Sequence, residues 1–180
     1  MRRFEAPRVK AGLLGALLGL SIPGLAQAAA LDKPLQPLGF LLGAWEASIP
    51  AGTAGHVHGV SSIIAAADGH VLVRNDRNEA FDKAGNLTHG FGQFMTIYAD
   101  RGGVCADYVD GDGHVIHYGP ASIVEGRSVE FISLPSPGAP VFRLRYDADG
   151  PDGLKIWFGL KPPGKDAFSP IATGEIYRVK

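Results

Sequence analysis

The chain has one cysteine, Cys105, among 180 residues, so no disulfide can form within it. It also lacks a basic run, because 17 Lys and Arg stand against 18 Asp and Glu, a formal net charge of −1. Nucleic acid and anionic membranes are therefore not expected partners, since both bind clustered positive charge. Cys105 lies in GVCADYV, a strand-like segment, which favours a buried small hydrophobic side chain over a reactive thiol.

Motifs of several enzyme classes are also missing. The chain contains no Gly-x-Ser-x-Gly elbow, no phosphate-binding P-loop and no Rossmann glycine pattern. Gly90 and Gly92 in GFGQFM alternate with bulky residues on a predicted strand, so we expect them to ease strand coiling or to make room for a ligand. The residues do not point to an enzyme, and we expect no cofactor and no metal ion.

The first 28 residues have the features of a secretory signal peptide. Basic residues precede the apolar run 11–25, and residues 26–28 (AQA) form a small-x-small cleavage site. The run is shorter than the ~20 residues that a spanning helix needs, and Pro23 interrupts it. We expect cleavage, a periplasmic or secreted protein, and no stable membrane anchor. The remaining domain, 31–180, carries 13 basic and 17 acidic residues, a net charge of −4.

This domain is predicted to be all-β. Runs rich in Val, Ile, Phe and Tyr alternate with Asp-Gly and similar pairs, which supply the positive φ of tight hairpins. Residues 34–42 predict one short N-terminal helical turn. The strand candidates are 43–49, 56–66, 70–77, 88–99, 103–110, 113–124, 127–134, 140–148, 153–161 and 171–179. The pattern predicts an antiparallel up-and-down β-barrel of eight to ten strands, with a two-sheet sandwich as the alternative.

A Gly-x-Trp motif, Gly43 and Trp45 in FLLGAWEAS, begins the first strand, and the last strand, GEIYRVK, carries Arg178. This arrangement resembles the calycin superfamily, which includes lipocalins, fatty-acid-binding proteins and bacterial lipocalin-like secreted barrels. The resemblance implies that Trp45 closes one end of the barrel, that Arg178 packs over its ring, and that the lumen holds a small apolar or amphipathic ligand. LLGAWE is also similar to nitrobindin-like haem barrels, but those use a late His, and none follows His117 here.

Aromatic side chains on the predicted strands are the candidate ligand contacts, with His117 as a polar group among them. They are Phe94, Tyr98, Tyr108, Tyr118, Phe131, Phe142 and Phe158. A small lipid-modifying isomerase, cyclase or hydrolase is an alternative, for which His117 is the first catalytic candidate. A third possibility is a barrel filled by its own side chains that works through its surface.

Two patterns could bind a metal ion. His56 and His58 are two residues apart and share a strand face, so a metal site is an alternative to a polar loop. Asp107, Asp110 and Asp112 could bind calcium, but their spacing is not that of an EF-hand, and a solvated hairpin is favoured.

The charged residues are expected at the surface. Arg74, Asp76, Arg77 and Glu79 are predicted to form cross-strand charge pairs there. A pair of arginines at 143 and 145 alternates with apolar residues and could clamp a carboxylate in the lumen. We expect this pair outside instead, because burying the apolar face is worth several kcal/mol.

Overall fold

The structure, a computed structural model, describes residues 30–50 and 55–180, with the side chains of residues 48–50 excepted. The segment predicted to be a signal peptide, residues 1–28, lies outside this part of the chain. None of the helices in the described ranges has the length and apolarity that crossing a membrane requires.

Eleven antiparallel strands form one curled sheet in the described residues. They are β1 (Gly43–Pro50), β2 (His56–Ala66), β3 (Val71–Phe81), β4 (Leu87–Asp100), β5 (Gly103–Asp110), β6 (Val115–Tyr118), β7 (Ser122–Val124), β8 (Ser128–Ile132), β9 (Val141–Ala148), β10 (Gly153–Lys161) and β11 (Ser169–Arg178). The order is β6-β5-β4-β3-β2-β1-β11-β10-β9-β8-β7, so every neighbour except the β1–β11 pair is also consecutive in the chain. The predicted all-β, up-and-down architecture is confirmed as a curled half-barrel.

The count of eleven strands differs from the predicted eight to ten because the candidate strand 113–124 is split into β6 and β7. Gly119 and Pro120 lie at the break, and a proline has no N–H to donate to a strand ladder. The two pieces serve different neighbours, since β6 pairs with β5 and β7 pairs with β8.

The two ends of the curled sheet touch beside this break. Tyr118 forms an isolated antiparallel bridge with Ser133. The N–H of Leu134 donates to the carbonyl of His117 at 2.8 Å. These contacts join β6 to the residues that follow β8, so the outer strands are linked at this point. The resulting half-barrel is compatible with a calycin-like fold.

A 3₁₀ helix, Lys33–Leu41, packs against one end of the sheet and is longer than the predicted single turn. Its buried residues Leu35, Leu38 and Leu41 recur every three positions. Three residues make one turn of a 3₁₀ helix, so the three side chains share one face and enter the core. The carboxylate of Asp32 accepts the first N–H of the helix at 2.8 Å.

Strand alternation sends every second side chain into the interior. The most deeply buried strand residues include Ile63, Leu72, Met95, Ile97, Val129, Phe131 and Leu154. The prediction that Arg143 and Arg145 lie outside is confirmed, because Nε of Arg143 and Nη1 of Arg145 lie 2.8 Å and 3.7 Å from the Glu130 carboxylate on the outer face. The apolar face of β9 is turned inward.

Trp45 joins the 3₁₀ helix to the last strand. Its buried Nε1 donates to the carbonyl of Leu41 at 2.9 Å. Arg178 is its partner in the β1–β11 register, and the guanidinium carbon lies 4.2 Å from the centre of the indole. Nη1 of Arg178 also donates to the carbonyl of Leu42 at 2.6 Å. The contact between Arg178 and Trp45 that the resemblance implied is therefore present, and it combines packing with a cation–π interaction.

Gly43 is required for this contact, because its φ is +140° and a Cβ there would overlap the guanidinium of Arg178. We expect Gly43→Ala to lower the free energy of unfolding by about 1 to 3 kcal/mol. Gly39→Ala is the control, since a Cβ at Gly39 meets open space and its φ is not positive. Urea denaturation followed by tryptophan fluorescence measures both variants, and equal midpoints would contradict the prediction.

Candidate functional site

Part of the interior is not filled by side chains and forms a cavity of about 310 Å³. Nine of the eleven strands contribute to its walls, which are mostly apolar. The apolar walls include Trp45, Val57, Phe91, Leu144, Ile156 and Phe158. A cavity of this size, lined by aromatic and aliphatic side chains with a few polar groups, is typical of small-molecule sites.

The polar side of the cavity comes chiefly from β3. Leu72 points into the core, and the period of two then turns Arg74 and Asp76 into the interior as well. Arg74 is only 6% exposed. The prediction that Arg74 and Asp76 form surface charge pairs is therefore wrong. Arg77 and Glu79 do lie outward, with Nε of Arg77 3.1 Å from Oε1 of Glu79.

Arg74 makes polar contacts with three elements. Its Nη2 lies 2.8 Å from Oδ2 of Asp76 and 3.3 Å from Oε1 of Gln93 on β4. Its Nη1 donates to the hydroxyl of Tyr146 on β9, which reaches it from across the interior. Burial acts to lower the pKa of Arg74, but Tyr146 and Asp76 outweigh it and raise the pKa, so the guanidinium stays charged.

A hydrogen-bonded chain continues from Gln93 to the β5–β6 turn. Nε2 of Gln93 donates to the hydroxyl of Tyr108 at 2.8 Å, and this hydroxyl donates to Oδ2 of Asp110 at 3.1 Å. Burial raises the pKa of Tyr108, so its hydroxyl is neutral and both donates and accepts. The register explains the chain, because Asp76 lies opposite Gln93 and Gln93 lies opposite Asp110.

Two buried polar atoms of this cluster have no hydrogen-bond partner among the described residues. They are Nε of Arg74 and Oδ1 of Asp76, and both side chains line the cavity. An unpaired buried donor or acceptor costs about 1 to 3 kcal/mol. Both atoms are inaccessible to solvent, so this cost lies inside the cluster, while other parts of the two side chains give the cavity its polar side.

Three of the eight predicted ligand contacts line the cavity, namely Tyr108, Tyr118 and Phe158. Phe131 is fully buried in the core, with its ring centre 5.9 Å from that of Tyr118. Phe142 stacks on Phe158 at 5.9 Å between ring centres. Phe131 and Phe142 thus support the cavity wall from behind rather than line it.

The other three, Phe94, Tyr98 and His117, lie on the outer face, so their expected place in the lumen is wrong. Met95 occupies the inward position of β4, which turns its neighbour Phe94 outward, where it is 42% exposed. The hydroxyl of Tyr98 donates to Asp107 at 3.0 Å, and this carboxylate contacts Nδ1 of His117 at 2.6 Å. His117 is therefore not a base within the cavity.

The residues that form the polar side were missing from the predicted contacts. Arg74, Asp76, Gln93 and Tyr146 all alternate with outward residues on their strands, but the alternation reveals a direction only where one face is clearly apolar. Tyr146 shares its face with Leu144, so its inward direction followed from β9 alone. The direction of Arg74 did not follow in this way.

Neither of the two residue patterns considered for metal binding forms a defined metal site in the described residues. Ligand atoms of Asp110, Asp112 and His114 lie within 4.8 Å of one another, but the Asp110 carboxylate already accepts the N–H groups of the other two residues. This is the geometry of a closed hairpin turn. His56 and His58 share the outer face of β2, and within the described ranges no third ligand joins them.

Comparisons with known proteins assign no family, because no protein-family model matches the chain and the curated proteins contain no match to it. Burial raises the pKa of Tyr146, and Arg74 stays charged, so neither side chain is placed to take up a proton near neutral pH. Cys105 lies on the outer face and is only half-buried, so its expected place in the core is wrong. Its partial burial and the nearby Asp100 and Asp107 raise the pKa of its thiol.

We expect Arg74→Met to lower the free energy of unfolding by ~3 kcal/mol, because it leaves the carboxylate of Asp76 buried without a cation. The double variant Arg74→Met, Asp76→Leu removes both charges and should recover more than half of this loss. Urea denaturation of the three proteins checks the prediction. A double variant no more stable than the single one would show that the unpaired charge is not the cause.

Asp110 should make stability depend on pH. Burial acts to raise its pKa, but hydrogen bonds from His114 and Tyr108 outweigh it and lower the pKa. A carboxyl group with a lowered folded-state pKa stabilises the fold above its unfolded pKa of about 3.9, and this is lost as the pH falls through the folded pKa. We expect the free energy of unfolding of the wild type to exceed that of Asp110→Asn by a constant amount above about pH 5. This difference should become smaller as the pH falls below that value. Thermal denaturation between pH 3 and pH 7 measures the difference, and a constant difference would refute the assignment.

Proposed function

We propose that the protein binds a small apolar or amphipathic molecule in the interior of its curled sheet. The observation that carries this proposal is the cavity of about 310 Å³, with apolar walls and a buried polar cluster on one side. Apolar burial would supply most of the affinity, and the cluster would orient the ligand. The space equals that of about ten water molecules in the liquid, so we expect a ligand of that order of non-hydrogen atoms.

The proposal includes a cellular location and a family. A periplasmic or secreted location is supported by the signal-peptide features of the first 28 residues. A calycin-type, lipocalin-like identity is supported by the half-barrel and by the packing of Arg178 over Trp45. Ligand transport or sequestration outside the cytoplasm would fit both.

The alternatives have less support. A barrel filled by its own side chains would leave no space for a ligand, whereas the cavity is a site of the usual small-molecule size. A lipid-modifying enzyme would need a His or a carboxylate in the cavity. Its first candidate, His117, has a side chain 64% exposed on the outer face, and the carboxylate that does line the cavity, Asp76, is paired with Arg74.

Native mass spectrometry of the exported protein, purified without organic solvent, tests the proposal. We expect a mass adduct that organic extraction removes. Ala47 lines the cavity, so Ala47→Phe should fill part of the space and abolish the adduct. Ala44 is exposed on the same strand, and Ala44→Phe should retain the adduct as a matched control.

A bare mass for the wild type would count against the proposal if the extracted protein also failed to take up small apolar probes. An adduct that survives equally in Ala47→Phe and Ala44→Phe would place the ligand outside this cavity.

A further inference from the structure

We propose that the ligand presents to Arg74 and Asp76 a neutral group that both donates and accepts hydrogen bonds, such as a primary amide or a hydroxyl group. This inference deepens the proposed function and rests on it. It concerns the charge of the polar end of the ligand, which the size and the apolar walls of the cavity leave open.

The first step is the charge balance of the cluster. The guanidinium of Arg74 and the carboxylate of Asp76 lie 2.8 Å apart, and their side chains are 7% and 13% exposed. Asp110 is the next acidic group, beyond Tyr108, and it is engaged by its own turn. Arg74 is thus already neutralised, and no positive charge is left over to attract an anion.

The second step is the effect of a charged ligand on this pair. A carboxylate that approached Arg74 would also approach Asp76, and like charges in a buried site repel strongly. An ammonium group that approached Asp76 would meet Arg74 in the same way. A ligand of either charge would therefore disturb the buried pair, whereas a neutral polar group would leave it intact.

The third step is the count of free hydrogen-bonding positions. Nη1 and Nη2 of Arg74 are used by Tyr146, Asp76 and Gln93, and Nε has no partner in the described part of the chain. Oδ2 of Asp76 is used, and Oδ1 has no partner there either. These two free atoms are themselves inaccessible to solvent. What the cavity meets is a side chain that only donates hydrogen bonds beside one that only accepts them, since Arg74 and Asp76 both line it.

The fourth step matches these positions to ligand groups. A carboxylate only accepts hydrogen bonds and an ammonium only donates them, so each leaves one position unpaired. A ketone or an ester also only accepts. A primary amide or a hydroxyl group does both, as water does, and can replace water without the loss of a hydrogen bond. A donor side chain beside an acceptor side chain therefore favours a neutral group of this type.

Isothermal titration calorimetry of the exported protein after organic extraction, at pH 7, tests the inference with four eight-carbon probes. They are octanamide, octan-1-ol, octanoate and octylamine, which share a chain and differ in their polar end. We expect octanamide and octan-1-ol to bind, and octanamide to bind at least about tenfold more tightly than octanoate or octylamine.

The variant Asp76→Asn supplies the decisive contrast. It removes the negative charge while Arg74 keeps its positive charge, so octanoate should now bind at least as tightly as octanamide. Glu79→Gln changes an outward carboxylate on the same strand and should leave the wild-type preference unchanged. The ranking of the probes in the wild type decides the matter by itself if Asp76→Asn does not fold.

The possible failures are distinguishable. Tighter binding of octanoate or octylamine than of octanamide by the wild type would overturn the neutral-group inference and leave the proposed function standing. An unchanged preference in Asp76→Asn would overturn the role of Asp76. No binding of any of the four probes, together with a bare mass in native mass spectrometry, would overturn the proposed function itself.

Discussion

A guanidinium inside a curled sheet must be compensated, and the position of Arg74 therefore determines much of the interior around it. Its partners come from its own strand, from the neighbouring strand and from the far side of the sheet, as Asp76, Gln93 and Tyr146. Because a buried charge without a partner is strongly destabilising, these side chains are held in fixed directions. Apolar residues cannot close over such a cluster at low energy, and the cavity lies directly beside it.

The two parts of the interior differ in how far side chains fill them. Next to the 3₁₀ helix the space is filled, with Leu35, Leu38 and Leu41 at 0% exposure. Trp45 belongs to both parts, since its Nε1 is bonded to the end of the helix while its ring lines the cavity. Arg178 holds the indole from the other side. The tryptophan thus stands between the packed core and the cavity, and it is held from both sides.

The success of prediction from sequence varied with the contrast between strand faces. On β9, apolar residues alternate with charged ones, so the inward face was clear, and the outward position of Arg143 and Arg145 followed. On β3, the segment VLVRNDRNEA starts with apolar residues on both faces and continues with polar residues on both. Hydrophobicity could not give the direction of Arg74, and surface charge pairs were the natural but wrong interpretation. The inward direction predicted for Phe94 was wrong for a similar reason, because its neighbour Met95 is also apolar and the pattern did not show which of the two faces the interior.

Sequence alone was sufficient for the all-β class and the hairpin positions, since these depend on local backbone preferences. The pairing of a first-strand Gly-x-Trp with a last-strand arginine was implied by the resemblance to the calycin superfamily. Only the tertiary structure decided which face of each strand is buried, where the ends of the sheet meet and which polar groups converge. The contact between Arg74 and Tyr146 joins residues 72 positions apart. Its formation requires a particular curl and register of the whole sheet, and no local pattern of residues encodes that geometry.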